Sequence, residues 1–170
     1  MNKKKILVIA FLVILSIALL YVILKEKKSP STGQTMLYVD PCISKVEAGR
    51  NFTININISD ALDLYGWEFK LSWNATLLDV IDFKEGSFLK SGGHTFFNFK
   101  INDTTGYILA DCTLLGNTSG VSGNGTLATV KFHVKTAGNC TLHLQDAILV
   151  NSLEQLITTK VNDGYFNTSS

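Results

Sequence analysis

The chain has too few cysteines, prolines and basic residues for several functional classes. Three cysteines, Cys42, Cys112 and Cys140, cannot build a disulfide scaffold, and none has the Cys-x-x-Cys spacing of a zinc site. Only two prolines occur, Pro30 and Pro41, so long sheet ladders can run unbroken. From residue 36 onward nine Lys/Arg face thirteen Asp/Glu, a balance of −4 that leaves no basic face for nucleic acid. Gly-x-Ser-x-Gly, His-Glu-x-x-His and phosphate-cradling glycine loops are also missing. Asp79 and Asp82 are the nearest carboxylate pair, but their strand parity puts them on opposite sides, which does not suit glycoside hydrolysis. His133 and His143 could face each other across a hairpin spanning 131–145, where two solvated surface histidines are the simpler reading. Asp103, in the stretch Asn102 to Gly106, could bind calcium, and a polar turn is the simpler reading. The expectation is a non-catalytic chain without metal or cofactor.

What the chain does have begins with one apolar run, Ile6 to Leu24. At about 1.5 Å per residue, such a run spans a ~30 Å hydrocarbon core as a single helix. Lys3, Lys4 and Lys5 precede it and Lys25, Lys27 and Lys28 follow, so flanking charge does not set its orientation. It ends without an Ala-x-Ala pattern and reads as an uncleaved anchor over 1–24; a signal peptide cleaved within 29–33 is the alternative. Residues 25–35 are a short polar linker, and 36–170 are long enough for one domain with a core.

Orientation comes from asparagines. Asn-x-Ser/Thr sequons begin at Asn51, Asn57, Asn74, Asn102, Asn117, Asn124, Asn139 and Asn167. Twelve asparagines follow Gln34 and Ser plus Thr are under a fifth of that region, so chance gives about two sequons rather than eight. A sequon is an acceptor only on a secreted or lumenal surface, which places the domain outside the membrane. In that setting one bridge plus one buried thiol is the natural use of three cysteines. Cys112 alternates with Ile108, Ala110 and Leu114 and should face the core, which leaves Cys42 and Cys140 as the candidate pair.

Period-two alternation recurs throughout the domain, and no amphipathic helix stands out. In 51–58 the even positions are apolar. In 65–73, Tyr65, Trp67, Phe69, Leu71 and Trp73 should face inward while Glu68, Lys70 and Ser72 face out. Further strands are expected near 36–41, 77–83, 95–101, 106–115, 125–136, 141–150, 155–160 and 164–167, with Gly and Asn at the turns. The predicted fold is all-β, a two-sheet antiparallel jelly-roll sandwich of about nine strands. Because most aromatics point inward, a flat sugar-stacking platform is not supported.

The stretch Tyr65-Gly66-Trp67-Glu68-Phe69-Lys70-Leu71-Ser72-Trp73, followed by Leu77-Leu78-Asp79-Val80, resembles the third strand and following turn of cohesin modules. Glu85-Gly86-Ser87-Phe88-Leu89, Val121 to Ala128, and Asn162-Asp163-Gly164-Tyr165-Phe166 follow in the same order, so the resemblance covers about 36–167. It implies a nine-strand jelly roll, and docking of a calcium-loaded helical dockerin module onto one sheet face. Glu68 matches an acidic position of that face, while Gly66 departs from the polar residue often found two positions earlier. Lys70, Ser72, Asp111 and Thr113 share its outward parity and are candidate partner contacts. Two other readings stay open: a carbohydrate-binding module of a surface polysaccharide-degrading system, and a structural envelope glycoprotein.

Overall fold

The computed structural model describes residues 33–168. The expected membrane span, Ile6 to Leu24, lies outside the described residues. Among those described, no helix is long and apolar enough to cross a membrane.

Among the described residues ten strands form: β1 (Thr35–Asp40), β2 (Ile43–Lys45), β3 (Asn51–Ser72), β4 (Leu78–Glu85), β5 (Thr95–Asn102), β6 (Tyr107–Leu114), β7 (Val121–Val134), β8 (Asn139–Asn151), β9 (Thr159–Asn162) and β10 (Gly164–Asn167). A single 3₁₀ turn, Leu89–Gly92, follows β4. The two strands expected at 51–58 and 65–73 are one 22-residue strand, and this strand organises the fold. Its first half pairs with β1 and β7, its second half with β6 and β8. One sheet therefore reads β9-β1-β3-β7-β4 and the other β5-β6-β3-β8-β10-β2, with β3 common to both.

The crossing point is Asp60 to Asp63. Register slips there, and both aspartates take left-handed backbone angles, φ 51° and 56°, which Asp tolerates better than most residues. Asp63 then ties three segments together. Its Oδ1 accepts from the Gly120 amide at 2.8 Å, and its Oδ2 accepts from the Ser152 hydroxyl at 2.6 Å and amide at 3.2 Å. The Ser152 hydroxyl is the main cause that holds the Asp63 carboxyl below its ordinary range; the Gly120 and Ser152 amides add to it against the cost of burial.

Alternation along the strands fills the space between the sheets. Ile54, Ile56, Ile58, Phe69, Leu71, Val130, Phe132, Leu142 and Phe166 are fully buried, each worth about 1.5–3 kcal/mol of transfer energy. Phe52 stacks on Phe132 and Phe166 at 5.4 and 5.3 Å, and Trp67 on Phe69 at 5.0 Å. Trp73 closes one end of the core, its indole N–H donating to the Leu78 carbonyl at 3.0 Å.

Four expectations need correction. Cys112 is buried as its parity required, but all three cysteines are free. β10 runs between β2 and β8, and strands two apart lie ~9–10 Å from each other, beyond the ~7 Å reach of a disulfide. The Cys42–Cys140 bridge is therefore not formed. His133 and His143 do not face each other, because β7 and β8 belong to different sheets; His133 meets Asn51 and His143 meets Asp163. Asp79 and Asp82 share one face, since an extra residue in β4 between Val80 and Asp82 resets the parity. Tyr65 is only half-buried, with its hydroxyl donating to the Gly116 carbonyl at 2.5 Å.

Candidate docking face

The outer surface of β5, β6, β3 and β8 gathers all five candidate contact residues. Strand register sets them in rows across the sheet. Phe96, Thr113, Gly66 and Val150 form one row; Asn98, Asp111, Glu68 and Ile148 form the next. Lys100, Leu109, Lys70 and Gln145 follow, then Asn102, Tyr107, Ser72 and His143. The outward parity of Glu68, Lys70 and Ser72 on β3, and of Asp111 and Thr113 on β6, places them as one contiguous patch.

Two acids face each other directly in this patch. Glu68 and Asp111 are cross-strand partners, an arrangement that like charge makes unfavourable. Asp111 accepts from Asn98 Nδ2 at 3.1 Å, whereas Glu68 has no hydrogen-bond or ion-pair partner among the described residues. Lys70 does not neutralise the pair, because its Nζ sits over the Tyr107 ring, 5.2 Å from the centroid. The Ser72 hydroxyl accepts from Gln145 Nε2 at 3.4 Å, and the Thr113 hydroxyl donates to the Leu114 carbonyl.

Beside the acids lies a shallow dent of about 230 Å³, rimmed by Glu68, Asp111, Thr113, Ile148 and Val150. Gly66 makes it. A Cβ there would stand 3.3 Å from Val150 Cγ2 and 3.4 Å from both the Cys112 carbonyl and the Thr113 hydroxyl, so any side chain would fill the space. Below the floor, burial, with Glu85 nearby adding to it, pushes the Cys112 thiol up to about 12, so it stays protonated at neutral pH.

Strand parity puts Phe96 on the outer side with Asn98 and Lys100, as found, but Leu109 and Ile148 were not expected on this face. Phe96, Leu109 and Ile148 are 57%, 39% and 48% exposed. Leu109 was readable from its place between buried Ile108 and Ala110. Ile148 and Val150 were not, because β8 carries an extra residue near Asp146, whose φ is 54°, and parity along the strand flips there. Neither exposed aromatics in a row nor a flat stacking platform lies on this face; Phe96 and Tyr107 occupy its opposite ends.

A family model of the cohesin domain matches residues 43–167. The chain belongs to the cohesin family. Solved cohesins superpose on it across nearly their whole length. One is a non-cellulosomal cohesin from the hyperthermophilic archaeon Archaeoglobus fulgidus, with a TM-score of 0.69 at 20% identity over 81% of this chain and 93% of that one. Another is the sixth cohesin of Acetivibrio cellulolyticus scaffoldin B, crystallised with a mutant dockerin, with a TM-score of 0.67 at 19% identity over 81% of this chain and all of that one. A third comes from a type I cohesin–dockerin complex of Clostridium thermocellum, with a TM-score of 0.68 at 12% identity over 81% and 100% of the two chains. At these identities the superpositions establish the fold. A search of curated proteins finds no match.

Proposed function

We propose that this cohesin is an extracellular, membrane-anchored adaptor that docks a dockerin-type module on the outer face of β5, β6, β3 and β8. The composition of that face carries the reading. Exposed Phe96, Leu109 and Ile148 surround an unneutralised acid pair and a glycine-floored dent, so apolar burial and a charge requirement sit together. A partner side chain that ends in a cation would offset the Glu68–Asp111 repulsion while its aliphatic stem covers Ile148 and Val150. Solved relatives crystallised with dockerins support the choice of partner. The anchor rests on Ile6 to Leu24 and the outside location on the eight sequons.

The test is binding of the full chain, in detergent, to dockerin modules encoded in the same genome, with calcium and with chelator. Saturable binding that needs calcium is the expected result, because the dockerin is the calcium-loaded partner. Retention on polysaccharide with no dockerin bound would replace this reading with the carbohydrate one.

A further inference from the structure

The sandwich has two poles, and they differ in chemistry. One is built from segments 47–51, 73–78, 102–106, 134–139 and 167–168. Backbone bonds knit it: Gly49 N–H to Val134 O, Trp73 N–H to Gly106 O, Lys135 N–H to Leu77 O and Thr168 N–H to Gly138 O. Gly106, at φ 71°, has no room for a Cβ against the Trp73 carbonyl, and a Cβ on Gly138 would strike Leu77. Five sequon asparagines converge there from sequence positions as distant as 51 and 167: Asn51, Asn74, Asn102, Asn139 and Asn167. No large exposed apolar residue lies in these segments. The opposite pole, where the described chain enters beside Asp60, exposes Leu62, Leu115, Leu153 and Leu156 and holds only two sequon asparagines, Asn117 and Asn124.

The amide nitrogens separate the sites further. N-glycosylation joins asparagine Nδ2 to the anomeric carbon of an oligosaccharide carried on a polyprenyl phosphate. The C–O bond to phosphate breaks, phosphate leaves with the electron pair, and the amide proton passes to a base on the host transferase. Where a sequon side chain outside mid-sheet is engaged, it is through the oxygen: Asn74 Oδ1 accepts from the Thr76 amide and hydroxyl, Asn102 Oδ1 from the Thr105 amide, Asn51 Oδ1 meets His133, and at the opposite pole Asn124 Oδ1 accepts from the Asp60 amide. Among the eight sequons, Asn57 alone uses its Nδ2, donating to Asp40, while its Oδ1 holds Thr126 in mid-sheet.

We propose that this pole carries an N-glycan cap on Asn51, Asn74, Asn102, Asn139 and Asn167, and that Asn57 stays unmodified. The cap rests on the extracellular reading and is independent of the docking partner. Asn102 lies in the last row of the docking face with Tyr107 and Ser72, so its glycan confines docking to the three rows from Phe96 to Lys70.

Glycopeptide mapping by mass spectrometry, on the full chain purified from its own cells, tests this, with protease shaving of intact cells run in parallel. Shaving with glycan mass on all five pole sites and an unmodified Asn57 is the expected result; Asn74→Gln then lowers the intact mass by one glycan. Shaving with unmodified pole sites overturns the cap while leaving the location intact. Resistance to shaving with no glycan overturns both. Glycan on Asn57 at the level of the pole sites overturns the geometric argument.

Discussion

The two outer sheet faces of this cohesin are built on opposite rules. On β9-β1-β3-β7-β4 the polar side chains satisfy one another. Thr129 donates to Asn55 at 3.0 Å, Thr126 to Asn57 at 2.8 Å, Asn51 meets His133 at 2.8 Å, and Lys135 pairs with Asp79 at 2.8 Å. On β5-β6-β3-β8, Glu68 faces Asp111 with no cation of the described residues paired to either, and apolar Phe96, Leu109 and Ile148 stand in water. The first face gains stability from its side chains. The second gives some up at the facing Glu68 and Asp111 carboxylates, which is the cost that the docking proposal assigns to a partner to offset.

Substitutions on the two faces sharpen that contrast. The largest effect expected is on binding: Glu68→Arg should weaken dockerin affinity about 100-fold, through charge reversal at the centre of the patch. Lys131→Glu, on the other face, should leave it within about twofold. Isothermal titration of both variants measures the difference, and equal losses would erase the distinction. Filling the dent with Gly66→Val should cost about tenfold in affinity, read in the same titration.

Stability should run the other way. Asn55→Ala removes the acceptor of Thr129 and should cost about 1 kcal/mol in urea unfolding. Glu68→Ala relieves the facing carboxylates and should leave stability unchanged or raise it by about 0.2–1 kcal/mol. A loss at Glu68 larger than that at Asn55 would show that the acid pair supports the fold after all.

The smallest effect is on pH dependence at the crossing of β3. The Asp63 carboxyl lies below its ordinary 3.8 in the folded chain, so its stabilisation is complete above that value and fades as pH falls through the lower folded value. Thermal unfolding at pH 7 and pH 3 should show Asp63→Asn losing less on acidification than the parent. An equal loss would place the acid sensitivity elsewhere.

Alternation made much of this legible. Core residues Trp67, Phe69, Leu71, Trp73 and Cys112, and outward Glu68, Lys70, Asp111 and Thr113, all follow from period two, because a strand offers only two sides. Bulges hid the rest. The extra residue in β4 moved Asp82 onto the face of Asp79, and the one in β8 turned Ile148 and Val150 outward, and neither position carries a glycine or proline to mark it. The cysteine pairing failed for a topological reason, since no local pattern says that β10 inserts between β2 and β8. The crossing of β3 from one sheet to the other was equally silent, since the gap between the strands expected at 51–58 and 65–73 says nothing of a single strand that changes sheets.

The most direct test of the docking claim is a residue-level footprint of the bound dockerin, by amide and methyl chemical-shift mapping of the cohesin. Docking on the Glu68 face should perturb Gly66, Glu68, Leu109, Asp111 and Ile148 most, fading toward Ser72, with Asn55, Lys84 and Lys131 unmoved. Perturbations centred on Asn55 and Lys131, with the Glu68 row unmoved at saturation, would contradict it.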